Sequence, residues 1–595
     1  MQIIKLSIFL LIPNLFYTTK CYSQNFKILK LENHRIYNSN HSLDTIKLPF
    51  WEDFSGSNEI NNTRWSEYEN VLIKDYYNSN SPSINVIEFN GIDNNGTPYF
   101  HSNGYGESDV ITSDIITLEE YKTDNSLYFS FFWNFNINGE YPDYEDTLKL
   151  QFYSNSEMWE TVWFMNGGNE NFPGNKFTFE IINIEEKFLH NNFKFKFFNQ
   201  GNTEGPFDSW VIDYIYINSN RDSNDSTFLD RSLTYKGKKI FDHYISIPIK
   251  HFDMSDGIID SLNMEINNFD NNIQPINYSF RVKSNELGID LYIEEKTQLS
   301  PILNSFERRT INSKPFVISN YESDKDTVNL DLLFFIESGD TIFHNNNYKL
   351  NDSSRSRIKF SNYYSYDDGE AEYAAGLNQK NSEVVVKFET LKEDTLTHFL
   401  ILFPESTNEN YSGNIELVAY DHLNDGNNKI ISQNASINYN DKVFNLYEIK
   451  TPIIVKDSFF IGFKQFENNF LAVGLDKNNN TSEKIYYLTD GNWKKNDVIK
   501  GSLMIRPVFG ESNYIITNNN REVFDEIITI FPNPSNGKYF INKKIDFIQI
   551  IDESGKIVKS FNNVNYFDIS SNKKGMYLAR IVHENKYYFK KILLK

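Results

Sequence analysis

Leu148-Lys149-Leu150-Gln151-Phe152 and, further along, Phe193-Lys194-Phe195-Lys196-Phe197 decide the fold class. In each stretch apolar side chains take alternate positions, with Lys or Gln between them. Successive side chains of an extended strand point to opposite faces, so this alternation predicts strands with one face in a core and the other toward water. The same texture of short apolar runs broken by Asn, Gly and Asp recurs from Leu48-Pro49-Phe50-Trp51-Glu52-Asp53-Phe54 onward. Composition agrees. The chain has 50 Phe and 37 Tyr, and its first alanine, the best helix former, is Ala371. A chain of 595 residues is too long for one core, so the expectation is an all-β protein of several sandwiches in tandem.

Charge narrows the partners. The chain carries 58 Lys+Arg against 80 Asp+Glu, a formal net charge of -22, which argues against nucleic acid as a ligand because phosphate needs a clustered positive surface. The N-terminus has Lys5, an apolar run from Leu6 to Phe16, and a polar end at Thr18-Thr19-Lys20-Cys21-Tyr22-Ser23, the pattern of a secretory signal peptide over residues 1–23. No later segment reaches the roughly 20 apolar residues of a spanning helix, so no transmembrane span is expected in the mature chain. The single Cys, Cys21, would leave with the signal, which removes disulfides, thiol catalysis and Cys-ligated zinc from consideration.

The remaining sequence divides by pattern. Residues 24–45 are polar and Asn-rich and read as a leader. Residues 46–218 read as a first sandwich, closed by Asp208-Ser209-Trp210-Val211-Ile212-Asp213-Tyr214-Ile215-Tyr216-Ile217. Residues 219–359 are less distinct, with strand patterns at Tyr244–Ile249, Gly288–Ile293 and Val328–Ile336. Residues 360–510 form a further β-sandwich unit, 511–525 a linker, and 526–595 a compact all-β unit. That last unit holds 12 Lys+Arg and 6 Asp+Glu, so it is +6; with the two signal lysines also set aside, residues 24–525 carry -30 of the whole-chain -22.

Residues 526–595 carry the clearest resemblance. Ile530-Phe531-Pro532-Asn533-Pro534 with Asn536-Gly537, Ile548 to Asp552 with Gly555-Lys556, Gly575-Met576-Tyr577-Leu578, and the basic end Lys590-Lys591 occur in order. Together they resemble the type A C-terminal sorting domain of the Bacteroidota type IX secretion system. The resemblance implies a small β-sandwich recognised by the type IX machinery. It places the sorting signal at Pro532, Asn533, Pro534, Gly537, Gly555, Gly575, Tyr577, Lys590 and Lys591. It further implies export to the outer face of the outer membrane, anchored to surface lipopolysaccharide, or release outside the cell. Residues 46–218 resemble MAM-type or concanavalin-like jelly rolls through Trp51-Glu52-Asp53-Phe54 and Trp210-Val211-Ile212-Asp213, and residues 219–359 are read as immunoglobulin-like.

No catalytic constellation stands out. None of the 10 His has the i, i+4 spacing of a helical zinc site, and there is no Gly-x-Ser-x-Gly elbow or Gly-Lys-Ser/Thr loop. Two carboxylate groups remain: Asp143, Glu145 and Asp146 beside Pro142, and Asp367, Asp368 and Glu370 around Gly369. Such groups serve as glycosidase acid and base, as oxygen ligands of a structural Ca²⁺, or simply as solvated loop charge. Asp53 and Asp213, at the two ends of the first sandwich, are a third candidate pair for Ca²⁺. Tyr141 and Tyr144 flank Asp143 in a loop, where flat rings can stack on a sugar, whereas Trp159 and Trp163, four apart on a strand, are expected to share a buried face. The reading is an exported, non-enzymatic protein that binds glycan or another extracellular polymer through Tyr141, Asp143 and Tyr144. An extracellular hydrolase with a carboxylate site and a structural surface-layer protein are the alternatives.

Overall fold

A computed structural model describes residues 26–30, 45–510 and 530–595, apart from segments at 56–62, 75–79, 94–98, 100–103, 136–140, 169–175, 204–207, 236–240, 253–257, 318–326, 406–410 and 424–428 and shorter gaps of one to three residues. The signal peptide, most of the leader, the 511–525 linker, Pro532 and Gly555 lie outside the described residues. The described residues form antiparallel sheets joined by loops and 3₁₀ turns. Among the described residues no helix is long and apolar enough to cross a membrane. Residues up to Ser512 form one unit and the C-terminal residues a second.

The first sandwich faces two sheets. One has the order Trp65–Glu67, Tyr105–Ser113, Phe195–Asn202, Thr147–Tyr153, Trp159–Asn166. The other contains Thr178–Asn183, Tyr128–Phe135, Trp210–Asn218, Val86–Phe89 and Leu72–Lys74, with Phe50–Glu52 also paired to Trp210–Asn218. The alternation does what its pattern predicts: Leu148, Leu150, Phe152, Phe195 and Phe197 are fully buried between the sheets. Lys149, Gln151 and Lys196 stay partly exposed on the outside. Trp210–Asn218 is apolar on both faces because it is covered on both. Its outer side, with Trp51 and Tyr214, packs on Phe228, Phe269 and Tyr348 of the next unit, the Trp51 and Tyr348 rings lying 4.5 Å apart.

That next unit pairs a sheet of Asp290–Gln298, Asn277–Ser284, Val328–Glu337 and Ser353–Phe360 with one of Arg231–Tyr235, Asn263–Asn268 and Arg308–Asn312. Tyr244–Ile249, expected as a strand, makes only isolated bridges, Ser246 to Ser365 and Pro248 to Ser361, before a 3₁₀ turn at Ile249–His251. Pro248 has no N–H to continue a ladder. The side chains here bind across to residues 360–510: the Tyr244 hydroxyl accepts from Glu389 N at 2.8 Å, and His251 Nδ1 lies 2.8 Å from the Tyr364 hydroxyl.

Residues 360–510 build three sheets, of which the largest is Lys429–Ser436, Asn414–Tyr420, Ser458–Gln465, Glu383–Glu389, Ile485–Thr489, Asn492–Lys495. One buried apolar cluster takes in residues from Leu233 to Phe509, with Ile84 of the first sandwich, so the second and third units share a core. Within the stretch read as a leader, Phe26–Lys30 is a strand. It pairs antiparallel with Tyr373–Leu377 and forms the edge of a four-stranded sheet.

The C-terminal unit is a sheet of Ile530–Phe531, Lys538–Ile551, Gly575–His583 and Lys586–Leu594, with Ile557–Asp568 on the other side of Lys538–Ile551. It has its own core of Tyr539, Ile548, Ile550, Phe567, Ile581 and Ile592.

Candidate functional site

Strand Trp159–Asn166 is the edge of the five-stranded sheet, and its register with Thr147–Tyr153 slips once, leaving Val162 without a partner between Thr161 and Trp163. A bulge of one residue reverses which side chains face the core beyond it. Trp163 therefore packs inward, its ring 5.0 Å from Phe131 and 5.7 Å from Trp133, while Trp159 turns outward onto Tyr153 at 5.2 Å. The expectation that the two tryptophans share a face is corrected by this bulge. The outer face of the sheet now carries Tyr153, Trp159 and Phe164, with Gln151, Thr161 and Gln200 among them. Phe164 is 59% exposed and stands opposite Lys149.

Residues 141–146 dock against the end of that edge strand. Asp146, buried, holds the loop's shape: its Oδ2 accepts from Asp143 N at 2.6 Å, and its own N–H donates to the Asp143 carbonyl at 3.0 Å. Burial raises the Asp146 carboxyl above its ordinary value. Gly168 N donates to the Pro142 carbonyl at 2.7 Å, and Asn166 Nδ2 to the Tyr144 carbonyl at 3.2 Å. Gly168 has φ +66°, and a Cβ there would lie 2.7 Å from the Tyr144 Cα, so only glycine lets the loop lie this close. The result is a shallow depression of about 350 Å³ lined by Tyr144, Phe164 and residues 165–168. Tyr144 is 74% exposed. Tyr141 and Asp143 are also exposed but do not line the depression; Tyr141 leans on Phe135, ring to ring at 6.3 Å.

Asp53 and Asp213 come together as adjacent strands predict, since Phe50–Glu52 pairs with Ile215–Ile217 of strand Trp210–Asn218. Both are buried and their oxygens face protein donors. Asp213 accepts from Ser83 N at 3.0 Å and from Tyr214 N at 2.6 Å. Asp53 accepts from Ser55 N at 3.1 Å and from Asn351 Nδ2 at 2.9 Å. Asn351 Nδ2 also donates to Asp230 at 2.8 Å, so the group ties the first unit to the second. Burial pushes Asp53, Asp213 and Asp230 upward, the Asp53 charge adding to Asp213 and Asp230. These carboxylate oxygens are engaged by protein donors, whereas a Ca²⁺ ion takes six to eight oxygens.

Nearby, Asp352 is pushed up to about 7, first by burial. In the unfolded chain such a carboxyl titrates near 3.9. The folded state therefore holds the extra proton between about pH 4 and 7, and this group's contribution to stability falls as pH rises through that window. Asp352→Asn is expected to raise stability at pH 8 by on the order of 1–3 kcal/mol and to leave it nearly unchanged at pH 4. Thermal melts at the two pH values check it.

Asp367, Asp368 and Glu370 separate. Asp367 is buried and bound by both Nε (3.0 Å) and Nη2 of Arg506, whose guanidinium lies 4.1 Å from the Phe444 ring and 4.8 Å from that of Tyr363. Asp368 and Glu370 are exposed. Asp368 N donates to Asp476 Oδ2 at 2.8 Å, and its own carboxylate accepts from Glu370 N at 3.0 Å. The buried partners here, Asp476 and Glu372, carry no local signal in sequence. Burial pushes Glu372 to about 7. Among the described residues no group of three or more His, Cys, Asp or Glu is arranged to hold a metal ion.

In the C-terminal unit, the turn at Asn533–Ser535 is fastened to the last strand. Asn533 Nδ2 donates to the Lys591 carbonyl at 2.7 Å, and Asn533 Oδ1 accepts from Leu593 N at 2.9 Å. Ser535 N donates to the Leu593 carbonyl at 3.0 Å. A Cβ on Gly537, at φ +108°, would lie 2.3 Å from the Ser570 Cα. Tyr577 is buried and its hydroxyl donates to the Lys573 carbonyl. Pro534 and Lys591 are exposed, Lys590 is half-buried, and Gly575 opens the third strand. Asn533 is thus the motif residue whose side chain joins the first turn to the final strand.

Comparison with solved structures returns likenesses of low identity. The tandem CBM22-1-CBM22-2 domain from Paenibacillus barcinonensis Xyn10C is 9% identical, covering 73% of this chain and 99% of its own, at a TM-score of 0.19. Xylanase10C from Cellvibrio japonicus is 9% identical, with 28% of this chain and 30% of that one covered, at 0.16. A putative beta-galactosidase from Bacteroides fragilis is 8% identical over 46% of this chain and 35% of its own, at 0.20. This chain thus spans about a third of the xylanase and galactosidase chains. The fold rests on the strand topology above. No curated protein matches the chain. Residues 529–595 match the family model of the secretion system C-terminal sorting domain.

Proposed function

We propose that this chain is a type IX cargo whose N-terminal body binds glycan or another extracellular polymer without cleaving it, on the outer face of the first sandwich. The observation that carries the reading is the pair of exposed rings, Tyr144 and Phe164, lining one depression beside a sheet face with amide and hydroxyl groups. A flat ring left in water costs hydration that stacking against the C–H face of a sugar recovers. Edge strand residues 159–164 extend the platform by about 16 Å at roughly 3.3 Å per residue, enough for a polymer rather than a single sugar. Asp143 and Glu145, exposed on either side of Tyr144 in the loop, are the groups a hydrolase would use.

The sorting tail supports export, with the protein on the cell surface or outside the cell. The tail's +6 against the body's -30 fits separate roles, one for passage and one for work.

Tyr144→Ala with Phe164→Ala is the test. Both side chains are largely exposed, so their loss leaves the melting temperature nearly unchanged. It is expected to weaken binding on a glycan array by about 2 kcal/mol or more, some 30-fold in Kd. Wild-type binding that survives both substitutions places the ligand elsewhere and refutes the reading.

A further inference from the structure

The outer face that carries Phe164 also carries lysines that no carboxylate among the described residues pairs with. Lys149 stands directly opposite Phe164 in register, and directly opposite Phe198 on its other side. Phe198 is buried beneath two ammonium groups, Lys149 Nζ at 5.8 Å and Lys196 Nζ at 5.1 Å from the ring centre. Lys196 also lies 5.0 Å from the Trp159 ring. Lys194 is on the same face, two residues before it along the chain. Among the described residues, none of these three lysines has a carboxylate within ion-pair distance; the only polar partner of Lys149 Nζ is Gln200 Oε1 at 2.6 Å. At the rim of the same sheet the contrast is plain, since Lys187 is paired with both Glu160 at 2.8 Å and Glu185 at 3.3 Å. The carboxylates facing this surface from neighbouring strands are Glu107, opposite Gln200 in register, and Glu67, which accepts from Thr112 Oγ1 at 2.8 Å.

Two like charges held against one ring repel each other, and cation–π contact returns only about 0.5–1 kcal/mol at an exposed site. The body carries a net charge of -30, yet among the described residues no carboxylate reaches these ammoniums. Opposite positions on paired strands lie about 5 Å apart, so a sugar stacked on Phe164 holds its ring substituents within reach of Lys149. We propose that the polymer taken by this face is an acidic polysaccharide, its carboxylate or sulfate groups lying between Lys149 and Lys196 while its rings stack on Phe164 and Tyr144. This rests on the glycan-binding reading above and adds the charge of the ligand.

Affinity gel electrophoresis of the full mature chain tests it, in gels holding a neutral polymer (laminarin), a uronate polymer (polygalacturonate) or a sulfated one (dextran sulfate). Retention is expected in one or both acidic gels and not in laminarin. It is expected to weaken at least tenfold in the variant combining Lys149→Gln and Lys196→Gln, and to return when both positions are Arg. Gln keeps enough of each stem to cover Phe198, and the melting temperature of each variant checks the fold. The uronate and sulfate gels identify which acid is read. Retention by laminarin alone, unaffected by the Gln variant, overturns the acidic ligand and leaves the glycan-binding reading standing. Acidic-gel retention that the Gln variant does not weaken overturns the proposal by placing the charge recognition elsewhere. No retention of the wild-type chain in any gel overturns both.

Discussion

Cells that make this protein without residues 526–595 are expected to hold it in the periplasm, with none at the cell surface or in the medium. The tail is the part that matches a sorting domain, over residues 529–595, and it forms a unit with its own core. Its removal therefore leaves the apolar clusters of the body intact, and a loss of export is not a loss of folding. Fractionation followed by protease shaving of whole cells reads the outcome. A second variant weakens the fastening of the tail's first turn to its last strand. Asn533→Ala removes two side-chain hydrogen bonds to the last strand, each worth about 0.5–1.5 kcal/mol, while leaving the tail's apolar core untouched. Surface display of the truncated chain at the wild-type level would refute the sorting role.

Asp367→Ala is expected to destabilise the body by about 3–5 kcal/mol, because it strands the buried Arg506 guanidinium between two rings without the carboxylate that pairs with it. The pair replaces water on both charges with a two-pronged ion pair, and removing one side leaves the full desolvation cost of the other. One buried cluster spans Leu233 to Phe509, so the loss is expected in a single transition that takes the second and third units together. Denaturant unfolding followed by tryptophan fluorescence, with Trp493 in the third unit, measures it. A midpoint unchanged from wild type would contradict the structural role assigned to Asp367.

The parts of this fold that are legible in sequence are those fixed by neighbours along the chain. Leu148, Leu150 and Phe152 announce their strand because alternation is a local property. The tail was readable for a related reason: its turn residues and strands occur in a fixed order. Contacts between distant positions leave no such mark. Nothing near Asp367 points to Arg506, and nothing in an Asn-rich leader shows that Phe26–Lys30 will border Tyr373–Leu377. The site was half legible. Tyr144 could be chosen because a tyrosine in an acidic loop is seldom core, but its partner Phe164 sits on a strand where burial is the default. Its exposure, and that of Trp159 against Trp163, depends on one unpaired residue at Val162. A bulge is a choice between registers, and the alternation around it reads equally well either way. In sequence the lysines mark only the solvent face of two strands; the pairing of those strands shows that Lys149 and Lys196 converge on Phe198.

Incubating the mature chain with the polysaccharide that retains it, and following new reducing ends alongside retention, tests the central claim most directly. The account predicts a polymer that is held, with a Kd raised by Tyr144→Ala and Phe164→Ala, and whose length does not change. New reducing ends that disappear in Asp143→Asn would contradict it and make the loop a hydrolytic centre.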